Sequence, residues 1–276
     1  WGGLNTMLHT LSNSGTVLTI NDRSPNGICK LIEQHQVEIL PTSPTFLNIL
    51  LLSGAYKQYD LSSLKVISYG TEPMTESTLK KMYFVFPNVT LQQTYGLIEV
   101  GVLRSKSRSS NSLWVKVGGE GFETRVVDGL LEIKAASTML GYLNASNPFT
   151  EDGWFMTGDS VEVDGEYLRI LGRQSELINV GGEKVYPSEV ESVIQKMNNV
   201  AEVTVFREKN LITGNIVCAK ISLVEEEDHK KFIQRLKKYC RQQLSSYKVP
   251  IKVKVTNESQ HSVRYKKIRF TNLQTS

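Results

Sequence analysis

Arg173-Gln174-Ser175-Glu176-Leu177-Ile178-Asn179-Val180-Gly181-Gly182, running on through Glu183-Lys184-Val185-Tyr186-Pro187-Ser188-Glu189-Val190-Glu191, is the stretch that decides how this chain divides. A short apolar strand, Tyr167 to Leu171, stops at Gly172, and an arginine follows. A second short strand and a double-glycine turn come next. Pro187 and Ser188 then open a helix with Glu189 and Glu191 in its first turn, where carboxylates suit the helix dipole. The stretch reads as a link between two folded units with a fixed cation at the joint.

Upstream of the joint the pattern is of two kinds. From Leu4 to Thr94 helices and strands alternate. Helices are expected at Leu4 to Leu11, Ile28 to Gln36, Thr45 to Leu52 and Thr75 to Phe84. Strands are expected at Thr16 to Ile20, Val37 to Leu40 (stopped by Pro41), Leu64 to Ser68 and Val89 to Gln93. Such alternation implies parallel pairing with right-handed crossovers. After Gly96 come short strands divided by Gly, Asn and Asp turns, among them the tight-hairpin signals Asp128-Gly129 and Asp164-Gly165. That block reads as a small antiparallel barrel or curled sheet. The Ser-rich stretch from Ser105 to Ser112 reads as a mobile loop. Downstream of Ser188 a helix, two strands, a helix and a strand make a compact α+β unit. The expected fold class is therefore α/β plus α+β: a parallel α/β layer with a small antiparallel β-barrel, a hinge, then a compact C-terminal α+β domain. The boundaries fall at 1–98, 99–172, 173–175 and 176–276.

Composition narrows the function. The chain has 276 residues, a net charge of +4 and 22% charged residues, with no basic stripe, so nucleic acid is excluded as a partner. Cys29, Cys218 and Cys240 are odd in number and far apart, which suggests free thiols in a reducing, cytoplasmic setting. The longest apolar run, near Phe46 to Leu52, is too short to span a bilayer, so no transmembrane segment is expected. The four histidines sit in no nucleophile or metal constellation, and there is no Gly-x-Ser-x-Gly elbow. The first residues, Trp1-Gly2-Gly3, enter a helix with no cap, which suggests a segment of a longer chain.

Three strings carry candidate chemistry, and the first two lie at strand ends, where ligands of open α/β sheets bind. Gly70, in Ser68-Tyr69-Gly70-Thr71-Glu72-Pro73, lets a flat ring approach the backbone. Gln93-Thr94-Tyr95-Gly96-Leu97-Ile98-Glu99 ends on a carboxylate, which a hard cation prefers and can bridge to phosphate. Asp152-Gly153-Trp154-Phe155-Met156-Thr157-Gly158-Asp159 places Asp159 in a turn between short strands, where a carboxylate can accept both hydroxyls of a ribose. Arg173 adds a forked donor.

Together with the joint, these strings closely resemble the adenylate-forming (AMP-binding) superfamily of acyl-CoA synthetases and adenylation domains. The resemblance implies an acid–thiol ligase of the kind found in fatty-acid metabolism, using ATP, Mg2+ and CoA or a phosphopantetheine thiol. It implies that Gly70, Thr71, Glu72 and Pro73 lie against the adenine and that Tyr95 and Gly96 flank the nucleotide. Glu99 would hold magnesium, and Asp159 with Arg173 the ribose. Ser175 stands where the family pivots, and Gly181 and Gly182 match glycines beside the thiol tunnel. The family ends on Gly-Lys-x-x-Arg, whose lysine reaches the reacting oxygens. Aligned on Lys-x-x-Arg, that lysine is Lys266, with Tyr265 where glycine is expected. Ile98 replaces the family's hydroxyl residue, and Thr94 is the nearest substitute.

The resemblance covers the later part of the family's length. The early phosphate loop ending in lysine is absent from this sequence, and no Gly-x-x-x-x-Gly-Lys string replaces it. The expected reaction of the complete enzyme is activation of a small carboxylic acid through an acyl-adenylate, then thioester formation with CoA. Loading of a carrier protein and a non-catalytic AMP-binding relative stay open as alternatives. Phe46, Leu47, Leu50, Thr94 and Val100 are candidate acid-lining residues.

Overall fold

The computed structural model describes residues 2–269; Trp1 and 270–276 lie outside it. The chain forms two compact units. One is the chain up to Thr71 with Leu79–Ile170, the other Glu72–Thr78 with the chain from Leu171 onward.

The first unit opens with helix α1 (Gly2–Ser12) and helix α2 (Pro25–His35). Strand β1 (Ile39–Thr42), helix α3 (Pro44–Ser53), strand β2 (Val66–Tyr69), helix α4 (Glu76–Val85) and strand β3 (Thr90–Gln93) follow. Two helix starts repeat one local solution. Ser24 and Ser43 accept N–H bonds from Gly27 and Phe46, and Pro25 and Pro44 occupy the first turn, where no donor is needed. The three strands pair in parallel in the order β1-β2-β3, with Thr42, Tyr69 and Gln93 in one row at their carboxyl ends. Ile32, Leu47, Leu50, Ile67, Leu79, Met82 and Leu91 are buried.

Two expectations change here. The strand expected to stop at Pro41 runs through it to Thr42, with Pro41 opposite Ser68. β1 is an edge strand, where a missing N–H costs no ladder bond. Thr16–Ile20 is not a strand: it pairs with no neighbour among the described residues, and Val17 and Leu18 are exposed. A β-branched run becomes a strand only when a ladder receives it.

The same unit continues with β4 (Tyr95–Leu97), β5 (Gly101–Ser107), β6 (Val115–Gly118), β7 (Phe122–Val127), β8 (Leu130–Ala135), β9 (Phe155–Asp164) and β10 (Tyr167–Arg173). They form a seven-stranded sheet in the order β4-β5-β6-β10-β9-β8-β7, so the expected antiparallel block is present, but among the described residues its end strands do not pair to close a barrel. Its core is Val100, Leu103, Val115, Leu131, Ile133 and Phe155. Asp128 and Gly129 both take positive φ at the β7–β8 hairpin, as a tight primed turn requires.

The Ser-rich stretch is largely ordered rather than loose. Its first residues extend β5 to Ser107. The hydroxyls of Ser105, Ser107 and Ser110 accept the N–H bonds of Tyr95, Gln93 and Leu91. Edge-strand amides that would otherwise lack a partner are met by side chains.

In the second unit, β11 (Ile178–Val180) and β12 (Glu183–Val185) form a hairpin. Helix α5 (Pro187–Ile194), β13 (Val200–Asn210), β14 (Gly214–Leu223), helix α6 (His229–Gln243) and β15 (Lys252–Val255) follow. β13 and β14 pair antiparallel, and α6 is the crossover that lets β15 pair parallel to β14. Phe232, Leu236 and Cys240 repeat every four residues along α6 and are buried against Val190, Ile194, Val203 and Ile221. The three cysteines are buried free thiols, and burial pushes Cys29 and Cys240 up to about 11 and Cys218 to about 12. Among the described residues no helix is long and apolar enough to cross a membrane.

Candidate functional site

The carboxyl ends of β2 and β3 place two of the strings side by side. Gly70 is required by the protein itself. A Cβ there would stand 2.6 Å from Thr94 Oγ1 and 2.7 Å from the Thr94 carbonyl oxygen. Thr71 follows at φ +72°, a conformation that β-branched residues rarely take. The Thr94 N–H and hydroxyl both donate to the Tyr69 carbonyl, at 2.8 and 3.1 Å. The Thr94 hydrogen is therefore committed to the backbone, and only its oxygen is left to accept, which does not suit a phosphate. Gly96 is likewise a packing glycine, because a Cβ would meet Val102 Cα at 2.8 Å.

Tyr95 and Asp159, far apart in the sequence, meet in the first unit. The Tyr95 hydroxyl donates to Asp159 Oδ2 at 2.5 Å, and both side chains are buried. Asp159 is not in a turn between two strands. β9 is continuous, and its pairing with β8 shifts between Leu130↔Ser160 and Glu132↔Met156, so extra residues bulge out. Gly158, at φ +70°, makes the bulge possible. A bulge re-aims a side chain, and here it turns a carboxylate inward toward Tyr95.

Glu99 is half-buried in the turn after β4. The Tyr142 hydroxyl donates to its Oε1 at 2.8 Å, and the Met139 N–H donates to its carbonyl at 2.7 Å. One carboxylate oxygen with one donor keeps acceptor capacity for a hard cation, so the residue fits the magnesium role. Among the described residues no group of three or more His, Cys, Asp and Glu could hold a metal alone. Ile98, which replaces a hydroxyl residue, is 68% exposed.

Sequence reasoning missed Tyr142, and it missed Tyr69 and Gln93. The last two stand opposite each other on β2 and β3, both buried. Among the described residues the Tyr69 hydroxyl and Gln93 Oε1 have no hydrogen-bond partner. Burial pushes the Tyr69 phenol upward. A polar row at a strand end is the only signal that could have found them. The lining candidates Phe46, Leu47, Leu50 and Val100 are buried.

In the first unit, then, Gly70, Thr71, Thr94, Tyr95, Gly96, Glu99 and Asp159 come from three strings. Glu72 and Pro73 group with the second unit, as do Arg173, Ser175, Gly181, Gly182 and Lys266. Arg173 and Ser175 are exposed, and Ser175 lies in a single 3-10 turn, Gln174–Glu176. Gly181 and Gly182 take φ +60° and +97° and form the exposed tip of the β11–β12 hairpin. Asn179 Oδ1 accepts the Gly182 N–H at 2.8 Å, and the Gly181 N–H reaches the Thr213 carbonyl.

Lys266 is exposed on a tight turn. The Ser262 N–H donates to the Lys266 carbonyl at 2.8 Å, and the Tyr265 N–H to the Ser262 carbonyl. Tyr265 has φ +52°, which explains why glycine is the residue expected there. Its ring stacks on His261 at 5.2 Å. The neighbouring Lys267 points the other way. Its ammonium donates to Glu191 Oε2 at 3.0 Å and to the Val203 carbonyl at 2.9 Å. Glu191 is therefore not a dipole partner on a helix surface. It is a buried anion held by Lys267, by Arg269 and by the Val205 N–H. Burial pushes its carboxyl up, but the two cations outweigh burial and the net direction is down.

Residues 2–143 match the AMP-binding enzyme family, and residues 189–264 match the AMP-binding enzyme C-terminal domain. A long-chain-fatty-acid–CoA ligase of Haemophilus influenzae is 27% identical over 260 residues, covering 88% of this chain and 46% of its own length. An indoleacetate–CoA ligase of Aromatoleum aromaticum is 27% identical over 245 residues, covering 81% of this chain and 48% of its own. The crystal structure of the anthranilate CoA ligase AuaEII with anthranoyl-AMP superposes with a TM-score of 0.78 at 22% identity, covering 91% of this chain and 52% of that one. The chain spans about half the length of the relatives it matches.

Proposed function

The chain belongs to the AMP-binding enzyme family, and from that premise we propose that it is the later portion of an ATP-dependent acid–thiol ligase. The single observation that carries this reading is the buried Tyr95–Asp159 pair. Two strings that the sequence assigns to nucleotide binding converge on one carboxylate in the first unit. The names of the curated relatives, all acid–CoA ligases, support the same class of reaction.

In this reading residues 1–98 and 99–172 are two parts of a nucleotide-holding domain, 173–175 is the hinge, and 176–276 is the mobile domain. Gly70 to Pro73 and Tyr95 hold the adenine end, and Asp159 and Arg173 hold the ribose. Glu99 holds Mg2+, which supplies neutralisation of phosphate charge. A substrate carboxylate attacks the ATP α-phosphate, giving acyl-adenylate and pyrophosphate. Lys266, a mobile point charge on a long stem, meets the oxygens as negative charge builds. The hinge then turns and the Gly181-Gly182 tip faces a thiol, whose sulfur attacks the acyl-adenylate carbonyl; the acyl–phosphate bond breaks, giving a thioester and AMP. We assign the thiol to CoA, and the setting to the cytoplasm, consistent with three free cysteines. The unpartnered Tyr69 hydroxyl and Gln93 Oε1 are groups that a bound ligand would satisfy.

The test is ATP–pyrophosphate exchange by the protein that carries this chain, with long-chain fatty acids and aryl acids as probes, followed by thioester formation on CoA. An acid should stimulate exchange, and Lys266→Ala should reduce it by about 100-fold. AMP binding with no exchange on any acid would move the chain to the non-catalytic relatives. Thioester formed on a carrier protein but not on CoA would change the acceptor.

A further inference from the structure

We infer that Arg269 is a positioning residue that joins the hinge turn to the turn bearing Lys266, so that the two move as one piece. The inference rests on the proposed roles of Lys266 and of residues 173–175, and it is carried by contacts within the second unit.

Arg269 uses three nitrogens on two carboxylates. Nη1 and Nη2 form a fork on Glu191, at 2.7 Å to Oε1 and 3.2 Å to Oε2, and Nε donates to Glu176 Oε2 at 2.8 Å. Glu176 ends the single 3-10 turn that contains Ser175. Glu191 is fixed from below, because its Oε1 accepts the Val205 N–H at 2.9 Å from β13. Lys267 closes the cluster on Glu191 and on the Val203 carbonyl. Lys266 therefore sits between the stacked His261–Tyr265 pair and two inward cations anchored on one buried anion.

The guanidinium is planar and its donors are fixed in direction. It satisfies Glu191 and Glu176 together only while the hinge turn and residues 266–269 keep one relative placement. A change of backbone at Ser175 either carries the Lys266 turn with it or breaks the Nε bond to Glu176. Arg269 spends its donors on Glu176 and Glu191 and acts through Lys266. A lysine at position 269 could hold Glu191 but not both carboxylates, because it lacks the fork.

The experiment compares wild type with Glu176→Gln and Arg269→Lys in the protein that carries this chain. Hydrogen–deuterium exchange is read at residues 262–267 and 174–176, and the two half-reactions are timed separately. Loss of one charge-assisted bond should speed exchange of both segments together by about tenfold, while β13 and β14 are unchanged. Glu176→Gln should slow acyl-adenylate formation about tenfold and change thioester formation from added acyl-adenylate by less than about twofold. Unchanged exchange at 262–267 in Glu176→Gln overturns the inference. So does equal loss of both half-reactions with a lowered unfolding midpoint, the mark of a merely structural bond. Lys266→Ala is run beside them. If it leaves acyl-adenylate formation intact, the role of Lys266 falls, while the exchange data still judge the coupling by themselves.

Discussion

Replacing Glu191 by glutamine keeps the shape of the side chain and removes its charge. In the native protein the carboxylate accepts four hydrogen bonds, from Val205, Lys267 and two Arg269 nitrogens. Its side chain is 2% exposed, that of Arg269 8% and that of Lys267 21%. Breaking a buried ion pair from one side costs roughly 3–5 kcal/mol, because the remaining charge is stranded. Here the lower end applies. Arg269 keeps Glu176, Lys267 keeps the Val203 carbonyl and some water, and the glutamine oxygen still accepts one bond. The expected loss is about 3 kcal/mol, or about 2 M in urea midpoint at ~1.5 kcal/mol per M. The pH dependence adds a second reading. The folded carboxyl lies below its unfolded value, near 4.5. Its stabilisation is therefore complete above that value and is lost as pH falls through the folded one. The gap between wild type and Glu191→Gln should be constant from about pH 7 to about pH 5 and narrow below that. Lys267→Met, which leaves the Arg269 fork intact, should cost less than about 1 kcal/mol. A loss under about 1 kcal/mol for Glu191→Gln at neutral pH, or a gap that ignores pH, would refute the reasoning.

Two further outcomes test the first unit. Gly70→Ala should destabilise by about 1–3 kcal/mol in thermal or urea unfolding, since the new methyl meets the Thr94 carbonyl as well as its hydroxyl. Adding Thr94→Ala should recover only part of this, and full recovery would mean that the backbone is not the obstacle. Tyr95→Phe removes the donor to a buried carboxylate and should cost about 1–3 kcal/mol. It should also weaken AMP binding measured by calorimetry, and unchanged affinity would separate Tyr95 from the nucleotide site.

Elements fixed by local chemistry were legible in the sequence. The Asp128-Gly129 and Gly181-Gly182 hairpins follow from backbone that only a few residue types adopt. The alternation before Thr94 and the α+β unit after Ser188 follow from hydrophobic period. What was not legible depends on partners distant in sequence. Thr16–Ile20 has strand composition but no ladder among the described residues. Pro41 stays in a strand because its strand is an edge. Ser105, Ser107 and Ser110 look like loop residues until the amides of Leu91, Gln93 and Tyr95 are opposite them. The backbone that carries Asp159 reads as a turn in the sequence, because a bulge needs the register of the neighbouring strand to be seen.

The adjacent lysines show where one-dimensional reading stops. Both Lys266 and Lys267 precede Arg269 in a basic segment, and spacing alone decides between them only through a motif that Tyr265 already breaks. The structure supplies an independent criterion. A buried anion must gather cations, so Glu191 takes Lys267 and Arg269 inward. Tyr265, held at positive φ and stacked on His261, turns the chain so that the residue between them faces outward. Among the described residues the exposed Lys266 is the one whose charge no carboxylate already neutralises. An ammonium satisfied by Glu191 would have to strand that carboxylate before it could meet a phosphate. Among the described residues Lys266 makes no such ion pair, which is the physical reason for proposing it rather than Lys267 as the reacting charge.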